Sequence, residues 1–529
     1  MNSLYKFDTR DILEFDSINN PKLNLVTQDN CSSLTDIHTG ICTDYPDPDV
    51  IRVGNIYYMV TTTMYFCPGC EIFKSTDLIN WDHACYVYEK LDSTDGQTLQ
   101  NNKGIYGRGM WAATIRYHKG CFYIMFVCND THKTYLYTLE CNSGILDDSH
   151  SFNWTKRNVE GFYHDCSLLF DKDSNGKEHI YIVYGNTNVY LTELKNDMSS
   201  PLEGGLNKLI VSDAGNKQLG YEGSHLYKIN GKYYLFLIHS TRDSWKRTEA
   251  CFVSDSIDGE FVGSDVLNDD MGFFNSGIAQ GGIVDTPDGQ YYAILFQDRQ
   301  AIGRIPVLVN VHFENDYPVF EKKYSFLNIC NRWQFNHEPD WSLLDYSPIG
   351  NDNFTYSITT DKICHSVQEA RNTLTNRLYS PVCDVEIDMD FSALNNGDVA
   401  GLCILQGCHG FIGIKKENDT CYLFTESKYT NESSPFTYNY DIKHTEKIPV
   451  VSEQIRLGFT ADFTDTRDIA QFYYYNNDGI KVIIPDSHKM LFKLDHFTGN
   501  RTALFLFSEE QTGGKVTFSN FKCTVRSHK

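Results

Sequence analysis

Five times before residue 300, an apolar run breaks at a short turn and resumes on a pair of bulky residues. The pairs are Tyr57-Tyr58 after Gly54-Asn55, Phe122-Tyr123 after Gly120-Cys121, Ile180-Tyr181 after a turn at Asn175-Gly176, Tyr233-Tyr234 after Gly231-Lys232, and Tyr291-Tyr292 after Gly289-Gln290. Turns of this composition supply the backbone conformations a tight hairpin needs. The repeat length, roughly 50 to 65 residues, suits one four-stranded propeller blade with its loops. The outer half of each unit also has strand-turn character, as in Glu249 to Phe261 and Pro306 to Phe320. Five such units predict an all-β domain, a five-bladed β-propeller. No helical period lasts three turns, which disfavours a parallel α/β fold. A single large β-sandwich is the alternative, and the regularity of the hairpins favours the propeller.

After about residue 320 the repeat stops. An aromatic and polar stretch, Trp333 to Ser347, precedes strands of a different rhythm at Asp384 to Phe391, Phe411 to Ile414, Ala470 to Tyr475, Val482 to Ile484 and Ala503 to Phe507. Gly, Asn and Asp separate them, as in an antiparallel β-sandwich. The expected division is an N-terminal lead over residues 1–40, the propeller over 41–322, a connector over 323–345 and the sandwich over 346–529.

The 529 residues include 46 basic and 69 acidic side chains, a formal charge of -23. That field repels phosphate backbones and anionic lipid surfaces, so nucleic acid and membrane are poor partners, while a neutral sugar is unaffected. No apolar run reaches the length of a membrane span or of a signal-peptide core, which reads as cytoplasmic, or secreted if a leader has been removed. Seventeen cysteines, an odd number, several in apolar strands, read as free thiols. The Cys67-Pro-Gly-Cys70 spacing lacks a second pair and a following helix, so it is not read as a metal or redox motif. Oligomeric state leaves no mark in the sequence.

In a propeller the first strand of each blade lines the central channel, and all begin at one end. The residues just before those strands converge: Asp47, Trp111, Asp165, Glu222 and Gln280. Singly, each acid has an ordinary explanation. Asp47 lies in a Pro-Asp-Pro turn, Asp165 can cap a strand entry, and Glu222 can be a loop acid. Together, three carboxylates at one register repel each other unless a task requires them. Glycosidic cleavage is such a task. One carboxylate takes a proton from water, a protonated carboxyl gives one to the leaving oxygen, and a third raises the donor's pKa. Trp111 offers a sugar an apolar face. His164 and His225, beside two of the acids, are candidates for holding the pocket.

The ordered segments DYPDPDVIRVGNIYYMVTTTMYFCPG, GMWAATIRYHKG, HDCSLLFD, YEGSHLYKINGKYY and AQGGIVDTPDGQYY resemble glycoside hydrolase family 43, over about residues 40 to 320. Later segments, including ARNTLTNRLYSPVC and the closing GGKVTFSNF, resemble the concanavalin-like sandwich (a jelly roll) of that family's β-xylosidases. The resemblance implies an inverting enzyme with Asp47 as general base, Glu222 as general acid and Asp165 tuning and orienting the acid. Arg304 matches an arginine that bonds substrate hydroxyls. Met64, Tyr65 and Phe66 stand where such enzymes often place one aromatic, and shape the glycone side. Cys166 and Ser224 replace prolines of the family pattern. Some members place a histidine at a channel metal site; here the stretch is Gly277 to Gln280, so calcium finds no support and no cofactor is expected.

The leading reading is an inverting exo-glycosidase removing xylose from xylo-oligosaccharides, with base and acid roughly 6.5 to 9.5 Å apart. The alternatives are an α-L-arabinofuranosidase or an endo-xylanase on arabinoxylan fragments and, in another class, a non-catalytic glycan-binding propeller. Whether the sandwich reaches the pocket is left open.

Overall fold

The computed structural model describes residues 41–345, 355–432 and 439–526. The lead assigned to residues 1–40 lies outside them. Blade 1 comprises β1 (Asp49–Val53), β2 (Ile56–Val60), β3 (Gly69–Ser75) and β4 (Asn80–Tyr88). Blade 2 has β5 (Thr114–His118), β6 (Cys121–Cys128), β7 (Lys133–Glu140) and β8 (Thr155–Val159), and blade 3 has β9 (Ser167–Lys172), β10 (Glu178–Asn186), β11 (Asn188–Leu194) and β12 (Asn207–Ser212). Blade 4 follows with β13 (Glu222–Ile229), β14 (Lys232–Ser240), β15 (Arg247–Ser254) and β16 (Val262–Leu267). Blade 5 is β17 (Ile278–Asp285), β18 (Tyr291–Asp298), β19 (Arg304–Glu314) and β20 (Tyr317–Phe326). In each sheet the strands pair antiparallel in sequence order.

The sequence pattern explains why these sheets stack. Strands such as Ile56–Val60 are apolar on both faces because each blade is covered on both sides by its neighbours. Tyr58 and Val60 pack with Ile115 and Phe122 of blade 2, and Met125 and Leu136 with Leu168 and Ile182 of blade 3. Val183 and Leu191 meet Leu235 and Phe252 of blade 4, and Phe236 meets Leu295 and Val307 of blade 5. Blade 5 returns to blade 1 through Ile294 and Leu308 against Val50, Met59 and Phe73. Each such buried side chain contributes about 1.5–3 kcal/mol relative to exposure.

Polar bonds close the same circle at the channel. Asp49 of β1 accepts from Ile115 N–H (2.9 Å) and Arg116 Nη1 (2.7 Å) of β5. Arg116 in turn reaches the Leu168 carbonyl and Ser167 Oγ of β9 (both 2.7 Å), and Ser167 Oγ accepts from Leu226 N–H of β13 (3.1 Å). Tyr227 Oη of β13 accepts from Ile283 N–H of β17 (3.0 Å), and Gly282 N–H donates to Pro48 C=O just before β1 (3.1 Å). The backbones approach so closely at this last joint that a Cβ on Gly282 would sit 2.5 Å from Val50 N.

The stretch 323–345 set apart as a connector is part of both units. β20 runs through Phe326, and β21 (Asn328–Ile329) adds to blade 1 beside β4. Gln334–Phe335 and Leu344–Asp345 already belong to the two sheets of the sandwich. Those sheets, of eight and seven strands, enclose one core including Ile387, Leu402, Leu457, Phe459 and Leu504. Along Val382–Asp390 burial alternates strictly, as expected for a sheet with one wet face. None of the described cysteines forms a disulfide.

Candidate active site

The pocket at one mouth of the propeller channel has a volume of about 190 Å³, and Asp47, Asp165 and Glu222 all face it, with Trp111, Gln280 and Arg304. The five positions placed in one register by the repeat are brought together by the fold, and Arg304, named by the family resemblance, joins them from the start of β19. Their backbones are unusual. Asp47 (φ 53°), Asp165 (φ 47°) and Gln280 (φ 54°) adopt a left-handed conformation, and Gly223 beside Glu222 does as well (φ 63°). In blades 4 and 5 the inner pairing slips at this level, between Glu222 and His225 and between Ala279 and Gly281. Such kinks re-aim side chains at the cost of local strain and cluster at functional sites.

Each carboxylate has its own environment. Asp47 accepts from Thr62 Oγ1 (2.6 Å) on one oxygen and from Arg304 Nη1 (2.5 Å) on the other. Arg304 also touches Asp298 (3.2 Å), which receives Arg247 Nε at 3.2 Å on its other oxygen, so Asp298 spaces two guanidinium groups along the wall. Asp165 accepts from Gly223 N–H (3.2 Å). Burial raises its pKa to about 6 against the opposing pull of His164, with Glu222 and Asp47 adding to the rise. Glu222 accepts from Asn186 Nδ2. Burial disfavours its charge too, but His164, Arg247 and Arg304 outweigh that and hold it below the usual range. Burial depresses the His164 imidazole, yet Asp165, Glu222 and Asp47 lift it to about 9. The raised carboxyl is therefore Asp165 and the depressed one is Glu222. That is the reverse of the expectation that the third acid raises the donor, and the reason is the imidazolium between them.

Two other expectations change, and the question of the sandwich is answered. Met64, Tyr65 and Phe66 do not line the pocket. They lie behind its wall in a buried cluster with Ile105 and Phe497, because the sandwich covers this loop. Tyr65 stacks on His337 and His496 (5.1 and 5.5 Å), and the Arg501 guanidinium sits 3.6 Å over Phe66. His225 lies below the floor, with Nε2 3.6 Å from Asp49 and Nδ1 3.0 Å from the Gly223 carbonyl. The sandwich does reach the site: Phe497 and Leu494 form part of the wall, Phe497 meeting Trp111 edge-on at 5.3 Å and covering Arg304 at 4.4 Å.

Residues missed by the sequence reading include Asn186, Leu219, Trp245 and Arg247. Asn186 ends β10, Leu219 lies in the loop before β13, Trp245 lies in the turn before β15 and Arg247 opens β15, positions that the residues just before first strands do not index. Trp245, about a third exposed, lies over Arg247 at 5.1 Å on the rim.

His164, Asp165 and Glu222 offer one nitrogen and two carboxylates within 4.8 Å of one another, the one such His/Cys/Asp/Glu group found among the described residues. Calcium takes six to eight oxygens, so this set does not fit it, and a cation there would occupy the proton-transfer groups themselves. No step is routed through a metal.

A propeller whose channel mouth gathers three carboxylates under an aromatic wall defines a protein that cleaves glycosidic bonds. Residues 41–318 match the family Glycosyl hydrolases family 43, and residues 327–524 match the Beta xylosidase C-terminal Concanavalin A-like domain. The chain belongs to glycosyl hydrolase family 43. A beta-xylosidase of Formosa agariphila is 23% identical over 89% of this chain and 87% of its own length. Among solved structures, a bifunctional GH43-CE protein of Bacteroides eggerthii is 33% identical with a TM-score of 0.81, over 92% of this chain, which spans only 63% of that one. A GH43 glycoside hydrolase engineered to display both endo-xylanase and exo-arabinofuranosidase activity is 25% identical over 92% of this chain and 100% of its own, with a TM-score of 0.78.

Proposed function

We propose that this glycoside hydrolase removes single xylose units from the non-reducing ends of xylo-oligosaccharides with inversion at the anomeric carbon. The observation that carries the reading is the convergence of Asp47, Asp165 and Glu222 on one small pocket. Its 190 Å³ is the space of about six waters, suited to a single pentose ring rather than a threaded chain. Phe497 and Leu494 narrow the pocket from the sandwich side, which supports exo action.

In this reading Asp47, fixed at both oxygens by Thr62 and Arg304, takes the proton of the attacking water. Glu222, with its side chain more open to the pocket than Asp165, protonates the departing oxygen. Asp165 orients the Glu222 backbone through Gly223 N–H and holds His164 near the acid. Trp111 and Phe497 together form an apolar wall for the ring, and Arg304 and Arg247 present donors to its hydroxyls.

Asp47→Asn is expected to lower kcat by roughly 10³-fold or more with the thermal transition nearly unchanged. Proton NMR of fresh p-nitrophenyl β-xyloside digests should show α-xylose forming first; β-xylose as the first product would overturn inversion. Release of xylobiose or longer products from xylan would favour an endo-xylanase instead. The engineered relative with exo-arabinofuranosidase activity supports one second reading, α-L-arabinofuranosidase action in the same pocket. Rates on the two p-nitrophenyl pentosides decide between them, and a clear preference for the arabinoside would sink the xylosidase assignment.

A further inference from the structure

His164 precedes Asp165 at the entrance of blade 3, and its carbonyl accepts from Gly185 N–H (2.9 Å) at the end of β10. The ring stands edge-on to Trp111 at 5.8 Å. Its Nε2 lies 3.6 Å from Asp165 Oδ2 and 3.7 Å from Glu222 Oε2, and this buried nitrogen makes no hydrogen bond. A ring nitrogen centred between two carboxylate oxygens and just beyond bonding reach of each is poised for proton exchange, since such contacts tighten when substrate fills a site.

We propose that His164 is the proton reservoir of the general acid: an imidazolium that hands its Nε2 proton to Glu222 Oε2 when a glycoside enters the pocket. This rests on the reading of Glu222 as the acid. The Nε2–H bond breaks as the Glu222 O–H bond forms, leaving a neutral imidazole that keeps its Nδ1 proton. Glu222 then gives the proton to the leaving oxygen. His164 regains one from solvent, balancing the proton that Asp47 takes from the attacking water and later releases, so turnover consumes none.

The charges facing the ring support this. Asp165 and Glu222 flank it and Asp47 lies further across the pocket, all favouring the imidazolium, while Arg247 and Arg304 act on Glu222 from elsewhere in the pocket. The imidazole is lifted to about 9 and Glu222 is held down, so the proton rests on the histidine before transfer. His164 is thus a positioning residue that acts through Glu222.

The test is the pH profile of His164→Gln in the full chain, with xylobiose and with p-nitrophenyl xyloside. The basic limb on xylobiose should move down by about one pH unit, roughly a tenfold loss at pH 8. The loss should be smaller on the activated aryl substrate. Nitrogen NMR of ¹⁵N-histidine-labelled wild type provides a readout that does not depend on the variant folding: His164 should carry protons on both nitrogens at pH 7.5. A variant profile that superposes on wild type, or a neutral His164 at that pH, overturns the proposal. Glu222→Ala separates the two claims. If it loses no more on xylobiose than on the aryl xyloside, the acid assignment fails and the reservoir with it. If it shows that split while His164→Gln leaves the basic limb in place, only the reservoir is wrong.

Discussion

Asp165 and His164 are neighbours in the chain, and burial works against the charge of both, but their partners decide the outcome differently. The histidine gains carboxylates and rises to about 9, while the aspartate is not fully compensated and rises to about 6. Both shifts mean that the folded protein holds protons more tightly than the unfolded chain. The aspartate contribution is present below pH 4 and lost as pH rises towards 6; the histidine contribution is present below about 6.5 and lost towards 9. Thermal stability is therefore expected to be higher at pH 5.5 than at pH 8.5 in a scanning calorimeter. Asp165→Asn, which removes the buried charge, should gain about 1–3 kcal/mol at pH 7 and much less at pH 4, while activity falls. Equal gains at both pH values would refute this account. Gly223 is constrained for a different reason: its φ is 63°, and a Cβ would stand 2.6 Å from the Gln280 side chain. The identities of Asp47, Asp165, Glu222 and Arg304 are legible in the sequence because the family pattern names them. Their ionisation is not, because it depends on distances to His164, Arg247 and Arg304 that no spacing encodes.

At the level of the strand, the inner ring of five first strands sets the geometry of the pocket. A change there should act on the whole wheel. Gly282→Ala places a methyl against Val50 N and Asp49 Oδ1, the joint at which blade 5 meets blade 1, and is expected to cost about 1–3 kcal/mol in urea denaturation. Wild-type stability in that variant would mean the joint yields freely. The ring was readable as a pattern: the turn and its bulky pair mark each hairpin, so the propeller and the convergence of residues before first strands follow from the repeat. The pocket rim was not readable, because Asn186 ends β10 and Trp245 lies in the turn before β15, positions whose convergence depends on loop paths rather than on the period. The connector dissolved into both units for a similar reason. Two-residue strands such as Asn328–Ile329 carry too little sequence to show a period, and exist only because β4 offers an open edge.

Across the whole molecule, the sandwich is a wall of the site as well as a second domain. Cys67 and Phe335 exchange backbone bonds (3.0 and 2.7 Å), Asn500 N–H reaches the Ala301 carbonyl (3.0 Å), and Arg377 lies 4.2 Å over Tyr45. Phe497→Ala should raise KM on xylobiose roughly tenfold, with a smaller effect on kcat, because it removes ring contact without touching the proton-transfer groups. Deleting residues 330–526 should abolish activity and yield aggregated protein, although every carboxylate stays on the propeller, since it uncovers the buried Met64, Tyr65 and Phe66. Soluble, active propeller would show that the seam is dispensable. The sequence by itself determined the repeat, hence the wheel, and through the wheel the three acids at its mouth, because local alternation and turn chemistry are written in neighbouring residues. Only the tertiary structure decided that the first-hairpin aromatics are buried under a second domain, that the wall is finished by Phe497, and that the His164 imidazole is lifted to about 9 beside two carboxylates. Burial and charge at a point are set by everything within several ångströms of it, most of it distant along the chain.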